Sequence, residues 1–262
     1  MDQLAIDLRS KCPHFRILVV GRANAGKTTL LKKVCNSVEE PEIFGPDGNR
    51  RCELHLHEFL LLIVTQRGEH DIENQLIFKS NRQFIFHDSR GFESGSANEI
   101  EKVKDFIAAR SATSTLSGQL HAIWYCMPTD TTRPLLAADE QFFNGSGTGK
   151  VPVIAIFTKF DGLIDEAFNE LREHGKSIPD AKTGAPERAQ AMLTTNFMGP
   201  LNTTKFRPSD FVRLDDMRME NSDCIDLITK TANALSDDTL RLLFVSVQQN
   251  NVDLCIRHAV SW

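Results

Sequence analysis

The 262-residue chain carries 30 lysines and arginines against 35 aspartates and glutamates, a formal net charge of −5, which argues against a broad electrostatic footprint for nucleic acid; no RNA or DNA partner is indicated. Six scattered cysteines without a CxxC pair read as core thiols of a reducing compartment, and the longest apolar run, FLLLIV at 59–64, is far short of the roughly 20 residues that span a bilayer. With no signal-peptide core in MDQLAIDLRSK, a cytoplasmic protein without a transmembrane segment is expected.

In chain order, residues 15–20 (FRILVV) read as a buried strand and 27–38 as a helix by their apolar spacing. Strands are predicted at 75–79 and 83–87, separated by Ser80, Asn81 and Arg82 and so paired as a hairpin. A helix at 98–110, a strand at 121–127, a helix at 134–143, a strand at 151–157 and a helix at 165–174 follow. Over 176–221 the composition turns mixed and polar, with Pro179, Pro186, Pro200 and Pro208, and periodicity fades except at 187–193. That stretch reads as an insertion or lid. Helices at 222–235 and 251–259 flank a last strand at 241–247. The alternation predicts an α/β protein with one domain over 1–262: three layers around a mostly parallel, six-stranded sheet with one antiparallel edge strand.

Between the first strand and the first helix stands Gly21-Arg22-Ala23-Asn24-Ala25-Gly26-Lys27-Thr28, which fits GxxxxGK[ST]. Its glycines let the backbone curl so that successive N–H groups point inward, and the following helix adds its positive dipole end. The stretch Arg22, Ala23, Asn24, Ala25, Gly26, Lys27, Thr28 and Thr29 would cradle the phosphates of a nucleoside triphosphate. Lys27 would reach the β- and γ-phosphates and Thr28 would ligate Mg²⁺. A turn that binds nothing has no need of Lys27 followed by Thr28.

A triphosphate site of this kind calls for a carboxylate at the end of a second strand. Phe84-Ile85-Phe86-His87-Asp88-Ser89-Arg90-Gly91 supplies it: Asp88 for the magnesium ion and Gly91 for a backbone contact to the γ-phosphate. Further on, the strand at 151–157 runs into Thr158-Lys159-Phe160-Asp161. Guanine offers two adjacent donors that one carboxylate accepts together, whereas adenine presents an acceptor, so Asp161 selects GTP or GDP. Lys159 can lay its aliphatic stem across the base.

With phosphate loop, DxxG and TKxD in this order, the chain resembles the translation-factor class of P-loop GTPases, nearest the Era, TrmE and septin-like branches and similar to fungal single-G-domain proteins. The resemblance implies a G domain acting as a molecular switch. It maps a backbone contact to the guanine oxygen onto Ser246 and Val247, and the switch threonine that completes the Mg²⁺ shell onto Thr65. It also implies an effector protein and a homodimer through the G domains.

Where Ras-like members carry a glutamine that orients the attacking water, this chain has Phe92. Hydrolysis would then be slow without a partner, or absent, which leaves a nucleotide-gated interaction module as the alternative. Asn24 sits where potassium-stimulated members hold K⁺ beside the phosphates, so Asn24 joins Lys27 as a candidate catalytic residue; a second reading is that Asn24 only suits the tight turn. An ATPase or kinase of the same loop class is disfavoured by Asp161. Arg22 and Arg90 flank the phosphates in sequence, and a cis arginine-finger role is the weaker reading for both. The glycine-rich Asn144-Gly145-Ser146-Gly147-Thr148-Gly149-Lys150 follows a helix and precedes a strand, the wrong order for a phosphate cradle. His55, His57 and His70 lack a fourth ligand at metal spacing, and His87 reads as a core residue.

Overall fold

The computed structural model describes residues 8–51, 71–89, 91, 97–145, 147–219 and 222–248. The strands are β1 (Phe15–Gly21), β2 (Glu42–Phe44), β3 (Gln75–Phe78), β4 (Asn81–Asp88), β5 (Ala122–Pro128), β6 (Val153–Thr158) and β7 (Asp210–Arg213). Between them run α1 (Lys27–Val34), α2 (Ala97–Ser111), α3 (Ala137–Asn144), α4 (Phe160–Glu173), α5 (Ile178–Leu193), α6 (Gly199–Asn202), α7 (Ile225–Ala234) and α8 (Asp238–Ser246).

The seven strands form one sheet in the order β2-β3-β4-β1-β5-β6-β7. β1 lies parallel between β4 and β5, with Val19 opposite Asp88 on one side and Gly21 opposite Cys126 on the other. β6 and β7 continue in parallel, whereas β3 runs antiparallel to both β4 and β2. β1 and β5 are buried along their whole length, as expected for strands covered by helices on both faces. Alternate residues divide the core. Phe15, Ile17 and Val19 belong to a core cluster shared with α1, α7 and α8, while Leu18 and Val20 belong to a second cluster shared with α2, α3, α4 and α5. The result is a three-layer α/β fold. Among the described residues no helix is long and apolar enough to cross a membrane.

The predicted six strands become seven. The run at 241–247 is not a strand but most of α8: Asp237 caps it, its carboxylate accepting from the backbone of Thr239 at 2.7 Å and Leu240 at 3.3 Å. Leu240, Leu243, Phe244 and Val247 follow the i, i+3, i+4, i+7 spacing of one helical face and pack on the core. The missing strand is β7, inside the stretch read as insertion or lid, and β2 adds a further edge. Most of 178–202 is helical: α5 buries the small residues Ala181, Ala185 and Ala189 together with Met192 and Leu193, and a π-helical turn at Thr194–Met198 joins it to α6. Two prolines obscure this helix in the sequence. Pro179 falls in its first turn, where no intrahelical donor is lost, and Pro186 is carried inside it on the exposed side. The helix predicted at 251–259 lies outside the described residues.

Candidate functional site

The chain crosses from β1 to the strands on one side of it and later to those on the other, so the order reverses at β1. Crevices for ligands open at the carboxyl ends of strands around such a reversal. The loop after β1 occupies that position. Gly21 ends the strand with φ +147°, and a Cβ there would sit 2.2 Å from the Cys126 carbonyl oxygen, so only glycine lets β1 and β5 meet as the chain turns away. Asn24 (φ 59°) and Gly26 (φ 76°) make two left-handed residues, and Gly26 is the N-cap of α1. The loop thus curls back over the start of that helix.

Lys27, 9% exposed, folds across this loop. Its ammonium donates to the Arg22 carbonyl at 3.2 Å and the Gly21 carbonyl at 3.4 Å, and lies 3.9 Å from Asp88 Oδ1. Lys27 at the start of α1 and Asp88 at the end of β4 are therefore brought together at one place. Gly91 comes close as well: a Cβ on it would lie 2.4 Å from the Ala23 backbone nitrogen, so the DxxG segment reaches the phosphate loop only because its last residue has no side chain. Thr28 is exposed to the same cavity.

From the other side, Thr158 at the end of β6 donates its hydroxyl to the Ala25 carbonyl at 3.0 Å, pinning the phosphate loop to the TKxD turn. Thr129, after β5, donates to the carbonyls of Thr158 at 3.1 Å and Lys159 at 3.0 Å. Lys159 is left-handed (φ 57°) at the N-cap of α4 and pairs with Asp130 at 2.9 Å. Asp161 stands in the first turn of α4, where the helix dipole favours a carboxylate.

These elements enclose one cavity of about 620 Å³, lined by the loop from Asn24 to Leu30, by Asp88, Asp130, Thr158, Lys159, Asp161 and Gly162, and by Asp215 to Arg218. The volume lies in the range of small-molecule sites. The last group was missed by sequence reasoning. It follows β7, whose end is tied to the TKxD turn by the Phe160 N–H donating to the Leu214 carbonyl at 3.3 Å and the Leu214 N–H donating to the Phe157 carbonyl at 2.8 Å. Arg218 is held by Asp216 at 3.0 Å, and that pair keeps the Asp216 carboxyl below its ordinary range. A signal is present in DFVRLDD, a short β-prone run entering acidic residues, but the strand DFVR is only four residues long and follows Pro208.

Ser246 and Val247, expected at the guanine oxygen, are not brought to this cavity. They end α8, Ser246 bonding its own helix at Leu243 and Val247 accepting from the Asn81 side chain at 3.0 Å. Asn81 starts β4 whereas Asp88 ends it, so the two stand at the opposite end of the sheet; the helix misread as a strand is the cause. Thr65, Arg90, Phe92, His55, His57 and His70 lie outside the described residues. The glycine-rich stretch at 144–150 leads from α3 into the start of β6, likewise away from the phosphate loop. His87 is a satisfied core residue: its ring bonds the Arg16 guanidinium at 2.8 Å and the Ile72 carbonyl at 2.8 Å, and burial pushes its pKa down to about 3.

The parallel sheet reversing at β1, with a glycine-bracketed loop between β1 and α1, decides the fold. It is a three-layer, mostly parallel α/β fold with a GxxxxGK[ST] loop at its centre. No family model and no curated protein matches the sequence. Solved structures similar to this chain include a point mutant of S. thermophilus NFeoB bound to GDP, at 15% identity and a TM-score of 0.37, covering 92% of this chain and 82% of that one. A second, GDP-bound point mutant of the S. thermophilus FeoB G-domain has 13% identity, a TM-score of 0.36 and coverage of 91% and 81%. The septin GTPase domain from Chlamydomonas reinhardtii has 14% identity, a TM-score of 0.39 and coverage of 95% and 99%. The chemistry of the site rests on its own geometry.

Proposed function

We propose that this chain binds GTP and GDP with Mg²⁺ and hydrolyses GTP slowly, as a molecular switch. One observation carries the reading: a single cavity of about 620 Å³ gathers Lys27, Thr28 and Asp88 at one end and Lys159 and Asp161 at the other. The first set suits a polyphosphate, the second a base that presents adjacent donors. Its donors also fit Mg²⁺, which takes hard oxygen ligands and completes its shell with phosphate and water. Thr28 and Asp88 would hold it, with Thr65 as the switch ligand, and the bound ion would neutralise phosphate charge.

The protein's own part in hydrolysis is electrostatic. Water attacks the γ-phosphorus, the bond to the β–γ bridging oxygen breaks, and GDP and phosphate leave. Lys27 and backbone N–H groups of the loop from Arg22 to Thr29 meet the growing charge on the phosphate oxygens, and Gly91 offers a further N–H. The base is read by Asp161 and Lys159, with Asp215 to Arg218 supplying the contacts first assigned to Ser246 and Val247. The left-handed conformation of Asn24 is one that asparagine tolerates, so the turn accounts for its presence, and its second role, holding K⁺, is tested separately. An effector protein and a homodimer through the G domains complete the proposal, on a single domain elaborated over 176–221.

Measuring GTP, GDP and ATP affinities together with phosphate release in KCl and in NaCl tests it. Guanine preference with faster release in KCl is expected, and preference for ATP would overturn the base assignment. Equal rates in both salts, or an Asn24→Ala variant with unaltered rate, would remove K⁺ from the mechanism. Phe92 favours a second reading, a nucleotide-gated module; guanine binding with no phosphate released over hours would establish it.

A further inference from the structure

Behind the phosphate loop, facing away from the cavity, Arg22 makes a buried contact set that the nucleotide chemistry does not use. Its guanidinium donates to the Arg133 carbonyl at 2.8 Å, the Pro134 carbonyl at 2.6 Å and Asp139 Oδ2 at 2.6 Å. Arg22 is 6% exposed and Asp139 fully buried. Asp139 is committed on its other edge: Oδ1 accepts from the Tyr125 hydroxyl at 2.7 Å, and Oδ2 also accepts from the Leu136 N–H at 2.7 Å. Burial raises the Tyr125 pKa well above its ordinary value, so that hydroxyl stays a donor.

Burying two charges is costly, and apolar side chains of similar volume would hold the same elements together at least as well. What the pair adds is direction. A planar fork with three fixed acceptors admits one placement of the Arg22 backbone relative to β5 and α3. The Arg22 carbonyl is in turn the oxygen to which Lys27 donates at 3.2 Å and to which Ala25 N–H donates at 3.3 Å. The second residue of the loop is thereby bolted from behind, as Ala25 is bolted by Thr158.

Building on the nucleotide reading above, we propose that Arg22 and Asp139 are positioning residues that hold the phosphate loop and Lys27 in binding geometry before any nucleotide arrives. The pair then fixes ligand affinity through the loop's order, with the guanidinium never touching phosphate. A preorganised loop loses less freedom on binding.

The test replaces the set by apolar isosteres, Arg22→Met with Tyr125→Phe and Asp139→Leu, so that no buried charge or hydroxyl of the three is left without its partner. Amide hydrogen exchange is followed in the nucleotide-free protein, and affinity is read with a fluorescent GDP analogue. Expected are exchange at least tenfold faster over residues 22–27 with unaltered protection at Ile17 to Val19, and affinity at least tenfold weaker. An Arg22→Lys variant, which keeps the charge and loses the fork, should fall between parent and triple variant. Unchanged exchange over 22–27 overturns the proposal, as does equal acceleration across β1 and the loop, which would make the pair a plain stabiliser of the fold. A parent protein that takes no GDP analogue would count against the nucleotide reading, and the exchange comparison would still decide on the pair.

Discussion

Thr158 shows how much of the site depends on single hydrogen bonds. Its hydroxyl, 3.0 Å from the Ala25 carbonyl, is the direct link between the phosphate end and the base end of the cavity. Thr158→Val keeps the shape and removes the donor; a net hydrogen bond of about 1 kcal/mol predicts roughly fivefold weaker GDP binding with little change in fold, measured by titration and by thermal melting. Asp161 carries a change of kind. Asp161→Asn exchanges an acceptor for a mixed donor and acceptor, and xanthine carries a carbonyl where guanine carries its amino group. Guanine nucleotide affinity should fall by roughly 10- to 100-fold, about 1.5–3 kcal/mol for a hydrogen bond to a charged group, while xanthine nucleotide affinity rises; unchanged preference in competition binding would remove Asp161 from base recognition.

Among the elements, α5 invites a stability measurement. Pro186 lies inside it and is exposed, and an interior proline costs a helix about 3 kcal/mol relative to alanine. Pro186→Ala should raise stability in urea by about 1–3 kcal/mol without altering nucleotide binding. The elements also show what a sequence can disclose. β1, β4, β5 and β6 are apolar runs ending in the residues of function, and both ends of the cavity were legible from Lys27, Thr28, Asp88 and Asp161. β7 was not: four residues at a sheet edge, intermediate or exposed save Val212, gain their strand character from pairing with β6 and carry little of their own. The run at 241–247 erred the other way, since RLLFVSV is strand-like by residue type while Asp237 and the spacing of Leu240, Leu243, Phe244 and Val247 favour a helix. Residue type points to a strand where period points to a helix, and a base contact at Ser246 requires the strand.

At the scale of the molecule, acid should unfold the protein earlier than its surface charge suggests. His121 is held neutral in the core, accepting from the Arg16 N–H at 2.9 Å through Nδ1 and bonding the Leu116 carbonyl through Nε2 at 2.9 Å, and burial lowers its pKa to about 4. The unfolded chain, with a histidine pKa near 6.5, binds the proton that the native state refuses. Stability is therefore full above about pH 6.5 and falls toward pH 4 by about 1.4 kcal/mol per unit for this residue, with His87 adding in the same sense. Urea midpoints measured between pH 7 and pH 4 should show this slope, and His121→Asn should flatten it; an equal slope in the variant would place the effect elsewhere. A last consequence concerns β7. It pairs with β6 alone among the described strands and carries the chain into Asp215 to Arg218 at the base end of the cavity. A bound guanine would clasp the margin of the sheet to its centre. Nucleotide release would then be felt as fraying of one border, and ligand would slow the unzipping of that border more than it hardens the interior.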